Sequence, residues 1–367
     1  MLAVDRRLVS GVRDAAGATD LRRFVQLAIE LEHATIPPYL TACYTLRPGT
    51  NDEISAAVRG VAVEEMLHLT IAANLLVALG GRPRIAAPGF VPDYPTVLPM
   101  NVGHSVVVGL APYSSQLVDD VFMRIEEPEV PLHLPDGSAV RGVDPEFATI
   151  GEFYAALRDK LTELGDSAFV GDPTRQVVDR DWFPPDQLFP IRDVSTAVTA
   201  LELVAEEGEG TSSSPLDREG EPAHYYRFAE LVHGRRLLAD PSVPQGFSYT
   251  GAPVPFDPDG VWPMPPHPRL EAHRPGSRSR FAAERFTDCY TRLLQALQLT
   301  FDGAPGGLRP ALGLMFELRL LAQDALATPD ADGRPTGLCF RYSPAPGTTT
   351  DHRTPVVSSP AGTPAER

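Results

Sequence analysis

Cysteine, tryptophan and lysine are all scarce in this chain of 367 residues, which has three cysteines and two tryptophans. The cysteines Cys43, Cys289 and Cys339 are far apart and form no Cys-x-x-Cys pair. A disulfide framework is therefore not expected, and a reducing, cytoplasmic setting fits best. Lys160 is the only lysine, so arginine provides nearly all the positive charge, a bias that we attribute to composition rather than to mechanism.

Positive charge and long apolar runs are also in short supply. The chain has 32 basic and 48 acidic residues, with a net charge of −16. Nucleic-acid binding needs a basic face, so no such partner is expected. No stretch approaches the roughly 20 apolar residues that cross a bilayer, and residues 1–20 lack the apolar core of a signal peptide, so we expect no membrane association. The 43% of hydrophobic residues is typical of a soluble protein with a sizeable core.

What the chain does have is helical periodicity. In four segments, apolar residues recur at helical spacing and acidic residues interrupt them. The first segment follows an N-cap at Thr19–Asp20 and contains Pro37–Pro38, which should kink or break it. The second stops at Gly80–Gly81. The four predicted helices cover about residues 20–46, 52–80, 193–209 and 219–239.

A long insertion separates the second helix from the third. Residues 82–190 are rich in proline and glycine. Within them, 105–110 and 121–125 have a β-like pattern, and 150–164 has the pattern of a further helix.

The remainder of the chain follows the fourth helix. Residues 240–278 form a proline-rich insertion, and two amphipathic helices are predicted at about 280–301 and 308–327. Residues 1–340 are expected to form a single domain. The tail, 341–367, has no periodicity and is predicted to be disordered.

Two of the predicted helices contain the motif Glu-x-x-His. Residues three apart share a helix face, so Glu65 and His68 can bind one metal ion together. Glu221 and His224 repeat the arrangement on the fourth helix. Two such pairs are half of the ligand set of a di-metal carboxylate bundle, and the other half is one glutamate from each of two more helices.

The first helix offers Glu30 and Glu32 for this role. If the first two helices form an antiparallel hairpin that turns at Pro48–Gly49, Glu32 and Glu65 are equally far from the turn and lie at the same height. Glu30 lies about 3 Å away along the axis, at 1.5 Å per residue. Glu32 is therefore preferred and Glu30 is the fallback.

The third helix ends in Glu206-Glu207-Gly208-Glu209, and one of these three carboxylates should complete the set. Glu209 lies on the same face as Leu201 and Ala205 and is preferred. Glu206 is the fallback. An apolar face that is interrupted by acids is costly unless cations or partners compensate them, which favours a metal site over a solvated helix face.

The spacing of the helices indicates the fold class. Short links join the first helix to the second and the third to the fourth, whereas a long crossover joins the second to the third. The prediction is a mainly α protein, a ferritin-like four-helix bundle with one long crossover, extra C-terminal helices and proline-rich insertions.

The motifs also resemble those of a known family, the iminophenyl-pyruvate dimer synthases, which include oxidative enzymes of violacein and rebeccamycin biosynthesis. The resemblance extends over about residues 20–330. It implies a metal-dependent oxidase of natural-product biosynthesis that acts on amino-acid-derived imines. The motifs that carry it are 31–40 (LEHATIPPYL), 64–68 (EEMLH), 207–211 (EGEGT) and 223–228 (AHYYRF).

The main hypothesis is therefore a non-haem di-iron oxidase or oxygenase that uses O2 on a small-molecule substrate. Carboxylate and imidazole ligands both suit iron. The predicted ligands of the two iron ions are Glu32, Glu65, His68, Glu209, Glu221 and His224. The alternatives are an iron-storage protein of the ferritin type and a non-catalytic helical partner in a biosynthetic complex. A homodimer or a biosynthetic partner enzyme is possible in each case.

Overall fold

Two long antiparallel helices form the centre of the protein. Helix α2 covers Ala18–Thr45 and helix α3 covers Asp52–Ala78. The structure is a computed structural model that describes residues 3–101, 106–128, 147–209 and 214–344. At the open end of the hairpin, Arg22 Nε donates to the carbonyl oxygen of Leu79 at 2.9 Å. The hairpin predicted from the sequence is thus confirmed.

Helix α2 runs through Pro37–Pro38 without a break, so the predicted interruption is wrong. Pro38 has no N–H group and leaves the carbonyl of Ala34 without its helical donor. The hydroxyl of Tyr94, from the crossover, donates to that oxygen at 2.8 Å. The hydroxyl of Thr41 also donates to the carbonyl oxygen of Pro37 at 2.7 Å. Side chains therefore supply donors next to the two prolines, and the helix continues.

Helices α7 and α8 form the second half of the bundle. Helix α7, Val194–Glu209, agrees with its prediction. Helix α8 is limited to His224–His233 and is shorter at both ends than the predicted 219–239. Before it, the backbone of Leu216 bridges to that of Pro222 in antiparallel fashion, and Gly220 turns with φ +85°. The chain is thus a tight turn, not a helix, over the residues that precede His224.

The crossover is more helical than the sequence indicated. Residues 121–125 are not a strand: α4, Ser115–Leu117, leads through a π-helical turn, Val118–Phe122, into α5, Met123–Ile125. Buried residues at 118, 122 and 125 have helical spacing. The predicted helix at 150–164 is confirmed as α6, Ile150–Leu164, with a capping box between Thr149 and Glu152.

The other β-like run, 105–110, provides an isolated bridge between Thr96 and Val108. Residues 102–105 lie outside the described part of the chain. The regular strands are short antiparallel pairs, namely β1 (Ala3–Asp5) with β2 (Phe147–Thr149) and β3 (Leu238–Ala239) with β4 (Phe247–Ser248).

The remaining helices surround the bundle. Helix α1 covers Arg6–Arg13 and packs on α6. Helices α9, Arg278–Phe301, and α10, Leu308–Leu326, agree with the two helices predicted at about 280–301 and 308–327. They pack on each other and contact α3 and α2 respectively. Of the predicted tail, 341–344 are irregular, and 345–367 lie outside the described residues.

Helix α3 is the most apolar element. It is long and apolar enough to cross a membrane by length and composition, which the sequence analysis did not anticipate, but 83% of its apolar window is buried inside the protein. Its packing against α2, α7, α8 and α9 accounts for that apolarity. It is the core helix of the bundle.

Candidate metal centre

Two clusters of carboxylates and histidines lie inside the bundle. In the first, ligand atoms of Glu32, Glu65 and His68 all lie within 4.8 Å of one another. Nδ1 of His68 is 3.8 Å from Glu32 Oε2 and 3.8 Å from Glu65 Oε1. All three residues are buried. Helix α2 supplies Glu32, and one turn of α3 supplies the other two.

The second cluster contains Glu65, Glu126 and His224, again within 4.8 Å. Nδ1 of His224 is 3.1 Å from Glu65 Oε1 and 3.3 Å from Glu126 Oε2. His224 opens α8, and Glu126 directly follows α5. Glu65 therefore belongs to both clusters, and the imidazoles of His68 and His224 stack with their centroids 5.6 Å apart.

Both histidines face the clusters with Nδ1 and present Nε2 to a further carboxylate. His68 Nε2 lies 2.8 Å from Glu207 Oε2, and His224 Nε2 lies 2.9 Å from Glu64 Oε2. Glu64 also accepts from Arg227 Nη1 at 2.7 Å. A carboxylate on the outer nitrogen fixes the proton there, orients the ring and leaves Nδ1 as the free donor for a cation.

Each carboxylate of the two clusters also accepts a hydrogen bond from a hydroxyl group. Tyr154 donates to Glu32 Oε1 and Tyr39 donates to Glu126 Oε1. Thr35 donates to Glu65 Oε2 at 2.9 Å. In all three carboxylates, one oxygen accepts the hydrogen bond from the hydroxyl group and the other oxygen lies nearer to a histidine.

Four of the six predicted ligands thus come together: Glu32, Glu65, His68 and His224. Glu221 does not join them. It lies exposed in the turn before α8, where its backbone N–H donates to Asp217 Oδ1. The expectation failed because an i, i+3 pair shares a face only when both residues are helical, and α8 begins at His224.

The alternatives from the sequence have other partners. Glu30 is half-buried and accepts from Gln26 at 3.1 Å, and Glu206 forms an ion pair with Arg218 at 2.9 Å. Of the two acids at the end of α7 whose side chains the structure describes, Glu207 is the one that reaches His68. The side chain of Glu209 lies outside the described part of the structure, and its assignment stays a prediction.

Glu126 is the residue that sequence reasoning missed. It follows Val121–Ile125, which looked like a strand, and no helix was expected to carry it. A signal was present, because Val118, Phe122 and Ile125 are apolar at helical spacing just before two glutamates. The side chain of Glu126 is 9% exposed, so its charge needs a partner.

The electrostatics of the metal-free centre show strain between like charges. Burial and the neighbouring Glu65 raise the pKa of Glu32 to about 8, and burial and the same neighbour raise that of Glu126. Burial opposes a charge on His68, yet Glu207, Glu65 and Glu32 raise its pKa to about 9. His224 is likewise raised well above the ordinary pKa by its three carboxylates, against the effect of burial. Without cations, protons must neutralise this centre.

A cavity of about 70 Å³ adjoins the clusters, which is enough space for several water molecules. Glu32, Glu65, His68 and Glu126 form its polar side. The opposite wall comes from α6 and the end of α7, and includes Tyr154, Ala205 and Gly208. No arginine or lysine lines it among the described residues.

This donor set fits a pair of metal ions. Three carboxylates and two imidazoles converge, and one carboxylate lies between the two clusters, which is the ligand chemistry of di-metal sites in helix bundles. Two divalent ions would supply the positive charge that protons supply otherwise. Oxygen and imidazole ligands suit iron and manganese and disfavour soft, thiolate-preferring ions.

Comparison with known proteins agrees with the fold. The family model described as ferritin-like matches residues 25–233, more than half of the chain. The chain belongs to the ferritin-like family. All five residues of the two clusters of this ferritin-like chain fall inside the matched range, including Glu126 in the crossover.

Two individual relatives agree with this assignment. The chain is 26% identical over 215 residues to a dichlorochromopyrrolate synthase of Lentzea aerocolonigenes, which covers 52% of this chain but only 20% of that synthase. It also matches the crystal structure of a ferritin-like protein from Caulobacter vibrioides with a TM-score of 0.56 at 23% identity, over 88% of this chain and 97% of that one. The predicted ferritin-like fold and the resemblance to a biosynthetic oxidase are thereby confirmed.

Proposed function

We propose that this protein is a non-haem di-iron oxidase or oxygenase that uses O2 on a small amino-acid-derived, imine-type substrate. The observation that carries the proposal is the position of Glu65. This buried carboxylate is shared by two three-residue clusters, each of which has its own histidine. A chance acidic group on a helix face would be solvated and would not have this arrangement.

In this proposal Glu32, Glu65 and His68 hold one ion, and Glu65, Glu126 and His224 hold the other. Bound iron supplies the capacity to exchange electrons with O2, which no side chain of the centre has. Glu207 and Glu64 keep each imidazole in the tautomer that presents Nδ1 inward. The surrounding helices exclude bulk water, since His68 and His224 are 2% and 0% exposed.

The cavity beside the clusters is the proposed place of reaction. Its polar side is formed by the ligands themselves, so a group inside it lies next to both ion positions. Because the described wall has no cationic side chain, an acidic group of a substrate would be neutralised there by the metal ions. The cavity lies at the end of α7 beside Gly208 and next to Glu127 of the crossover, so the part of a substrate that does not react would extend toward these segments.

The likeness to dichlorochromopyrrolate synthase supports a role in natural-product biosynthesis. Since this chain covers one fifth of that synthase, the coupling that its name implies is not transferred here. An oxidation of a related amino-acid-derived compound is the part of the activity that we propose.

The test is a count of bound iron. The protein is loaded with Fe(II) without oxygen, desalted and measured by mass spectrometry of the metal. We expect about two ions per chain, about one in H68A and in H224A, and about two in H233A, a control at the end of the same α8 helix. Oxygen consumption on exposure to air should fall in the first two variants only.

Three results would contradict the proposal. Two ions in both H68A and H224A would reject the ligand assignment. Many ions per chain in a large multimer on size-exclusion chromatography would favour storage. Two bound ions without oxygen consumption, with or without amino-acid and imine substrates, would favour a non-catalytic partner.

A further inference from the structure

The hydroxyl groups around the centre have one shared feature. Of the two oxygens in each cluster carboxylate, one faces a histidine and the other accepts a hydroxyl. Glu32 Oε2 faces His68, and Glu32 Oε1 accepts a hydrogen bond from Tyr154. Glu126 Oε2 faces His224, and Glu126 Oε1 accepts a hydrogen bond from Tyr39.

Glu65 follows the same rule with a consequence of its own. Its Oε1 lies 3.8 Å from Nδ1 of His68 and 3.1 Å from Nδ1 of His224. Its Oε2 takes the hydroxyl of Thr35. A single oxygen of Glu65 therefore faces both ion positions.

We propose that Tyr154, Tyr39 and Thr35 are positioning residues that restrict each cluster carboxylate to one metal-binding oxygen. The inference rests on the proposed metal centre but goes beyond it, because it specifies which oxygen of each carboxylate would bind. Glu32, Glu65 and His68 would hold one ion, and Glu65, Glu126 and His224 the other, with Glu65 Oε1 available to both.

The tyrosines are held firmly enough to do this. Tyr39 is 0% exposed, and its ring packs edge-on against Phe122 with centroids 4.7 Å apart and lies 5.3 Å from Phe228. Tyr154 is buried on α6 beside Phe153, with centroids 5.7 Å apart. A buried hydroxyl group has no water nearby as an alternative hydrogen-bond partner, so moving it away from its carboxylate costs free energy.

Thr35 should be the weakest of the three. Its one hydroxyl hydrogen is within reach of two acceptors, Glu65 Oε2 at 2.9 Å and the backbone oxygen of Glu32 at 2.8 Å. In the described part of the chain, each tyrosine hydroxyl donates to its carboxylate alone. The inference therefore ranks Tyr154 and Tyr39 above Thr35.

The experiment measures carboxylate binding directly, without oxygen or turnover. Zn(II) replaces iron because it has no redox chemistry, and the infrared spectrum of the zinc-loaded protein minus the metal-free protein is recorded. A carboxylate bound through one oxygen has a wide separation between its asymmetric and symmetric stretches. A carboxylate bound through both oxygens has a narrow one.

We expect only the wide separation in the wild-type protein. In Y154F and Y39F, a freed carboxylate can chelate, and a narrow-separation pair should appear. T35V should show a smaller change. Y44F, another buried tyrosine of α2, is the control and should leave the spectrum as in the wild type.

The first result that overturns the inference comes from the wild type and E209A, which removes the predicted ligand outside the described residues. A narrow-separation pair in the difference spectra of both proteins would mean that a cluster carboxylate already chelates. An unchanged spectrum in both Y154F and Y39F, with two zinc ions bound, would overturn it as well. If the wild type binds no zinc pair at all, the proposed metal centre fails rather than the positioning role, so the two failures are distinct.

Discussion

The two halves of the candidate metal centre are built in different ways. The half at His68 comes from two regular helices, α2 and α3, in a short hairpin. The half at His224 combines the first residue of a short helix with Glu126 from a crossover of about a hundred residues. Both halves nevertheless present the same chemistry, a histidine Nδ1 inward, a carboxylate on Nε2 and a share of Glu65. Equivalent ligand positions thus do not require equivalent secondary structure.

The largest expected effect concerns the residue that joins the halves. Replacing Glu65 by alanine removes a ligand from both clusters and leaves two histidines and two carboxylates without their bridge. Bound Fe(II) should fall from about two ions per chain to nearly none. Glu30→Ala, on the neighbouring turn of α2, should keep two. Two ions bound to E65A would mean that the halves are independent sites.

The next effect separates the crossover residue from the one expected on α8. Glu126→Ala should lose the ion at His224 and keep the other, so that about one ion remains. Among the described residues, Glu126 and the shared Glu65 are the carboxylates next to Nδ1 of His224. Glu221→Ala should keep two, since Glu221 lies exposed in the turn. Metal analysis after anaerobic loading decides the matter. If Glu221→Ala lost one ion and Glu126→Ala kept two, Glu221 and His224 would be a ligand pair like Glu65 and His68, and the two halves would be alike.

A smaller effect compares the two outer carboxylates. Glu207→Gln and Glu64→Gln keep size but remove the negative charge next to each Nε2. Metal affinity should weaken by about 10- to 100-fold at the affected ion, measured by competition with a coloured chelator at fixed pH. Glu64 is shared with Arg227, whereas Glu207 pairs with His68 and with no arginine among the described residues, so E207Q should weaken metal binding more. Equal affinity to the wild type in both variants would deny these carboxylates an orienting role.

The smallest effect tests the helix of the regular half. Tyr94→Phe removes the donor to the carbonyl of Ala34, which is 0% exposed. An unsatisfied buried oxygen costs about 1–3 kcal/mol, so the free energy of unfolding in urea should fall by that amount. Tyr342→Phe, at a half-exposed position, serves as the control. No change in Y94F would mean that α2 tolerates Pro38 without help from the crossover.

Sequence reasoning succeeded where the structure is local and periodic. The α2–α3 hairpin follows from apolar spacing and a short turn. The equal distance of Glu32 and Glu65 from that turn favoured Glu32 over Glu30, and Glu32 is the acid that lies beside Glu65 and His68. The pair Glu65 and His68 follows from helical geometry alone. The same geometry gave the wrong position for Glu221. This residue lies in a tight turn with Gly220 and Pro222, and the helix begins only at His224.

Glu126 shows the other limit. Its segment has helical spacing, but it consists of two short α-helical turns joined by a π-helical turn. That is too short to be distinguished from a buried strand by periodicity. Its place beside His224 depends on how a crossover of irregular chain folds back onto α8. Contacts between residues so distant in sequence have no signature in periodicity.

By itself, the sequence determined the long helices, the hairpin of α2 and α3, and the residue types of the candidate ligands, because helical periodicity and buried charge are local properties. Only the tertiary structure decided which further acids meet the two histidines. The positions of Glu207, Glu221 and Glu126 depend on where α7 ends, where α8 begins and how the crossover folds back. These positions are set by the packing of the whole chain, because a carboxylate can be buried at low cost only where another group compensates its charge.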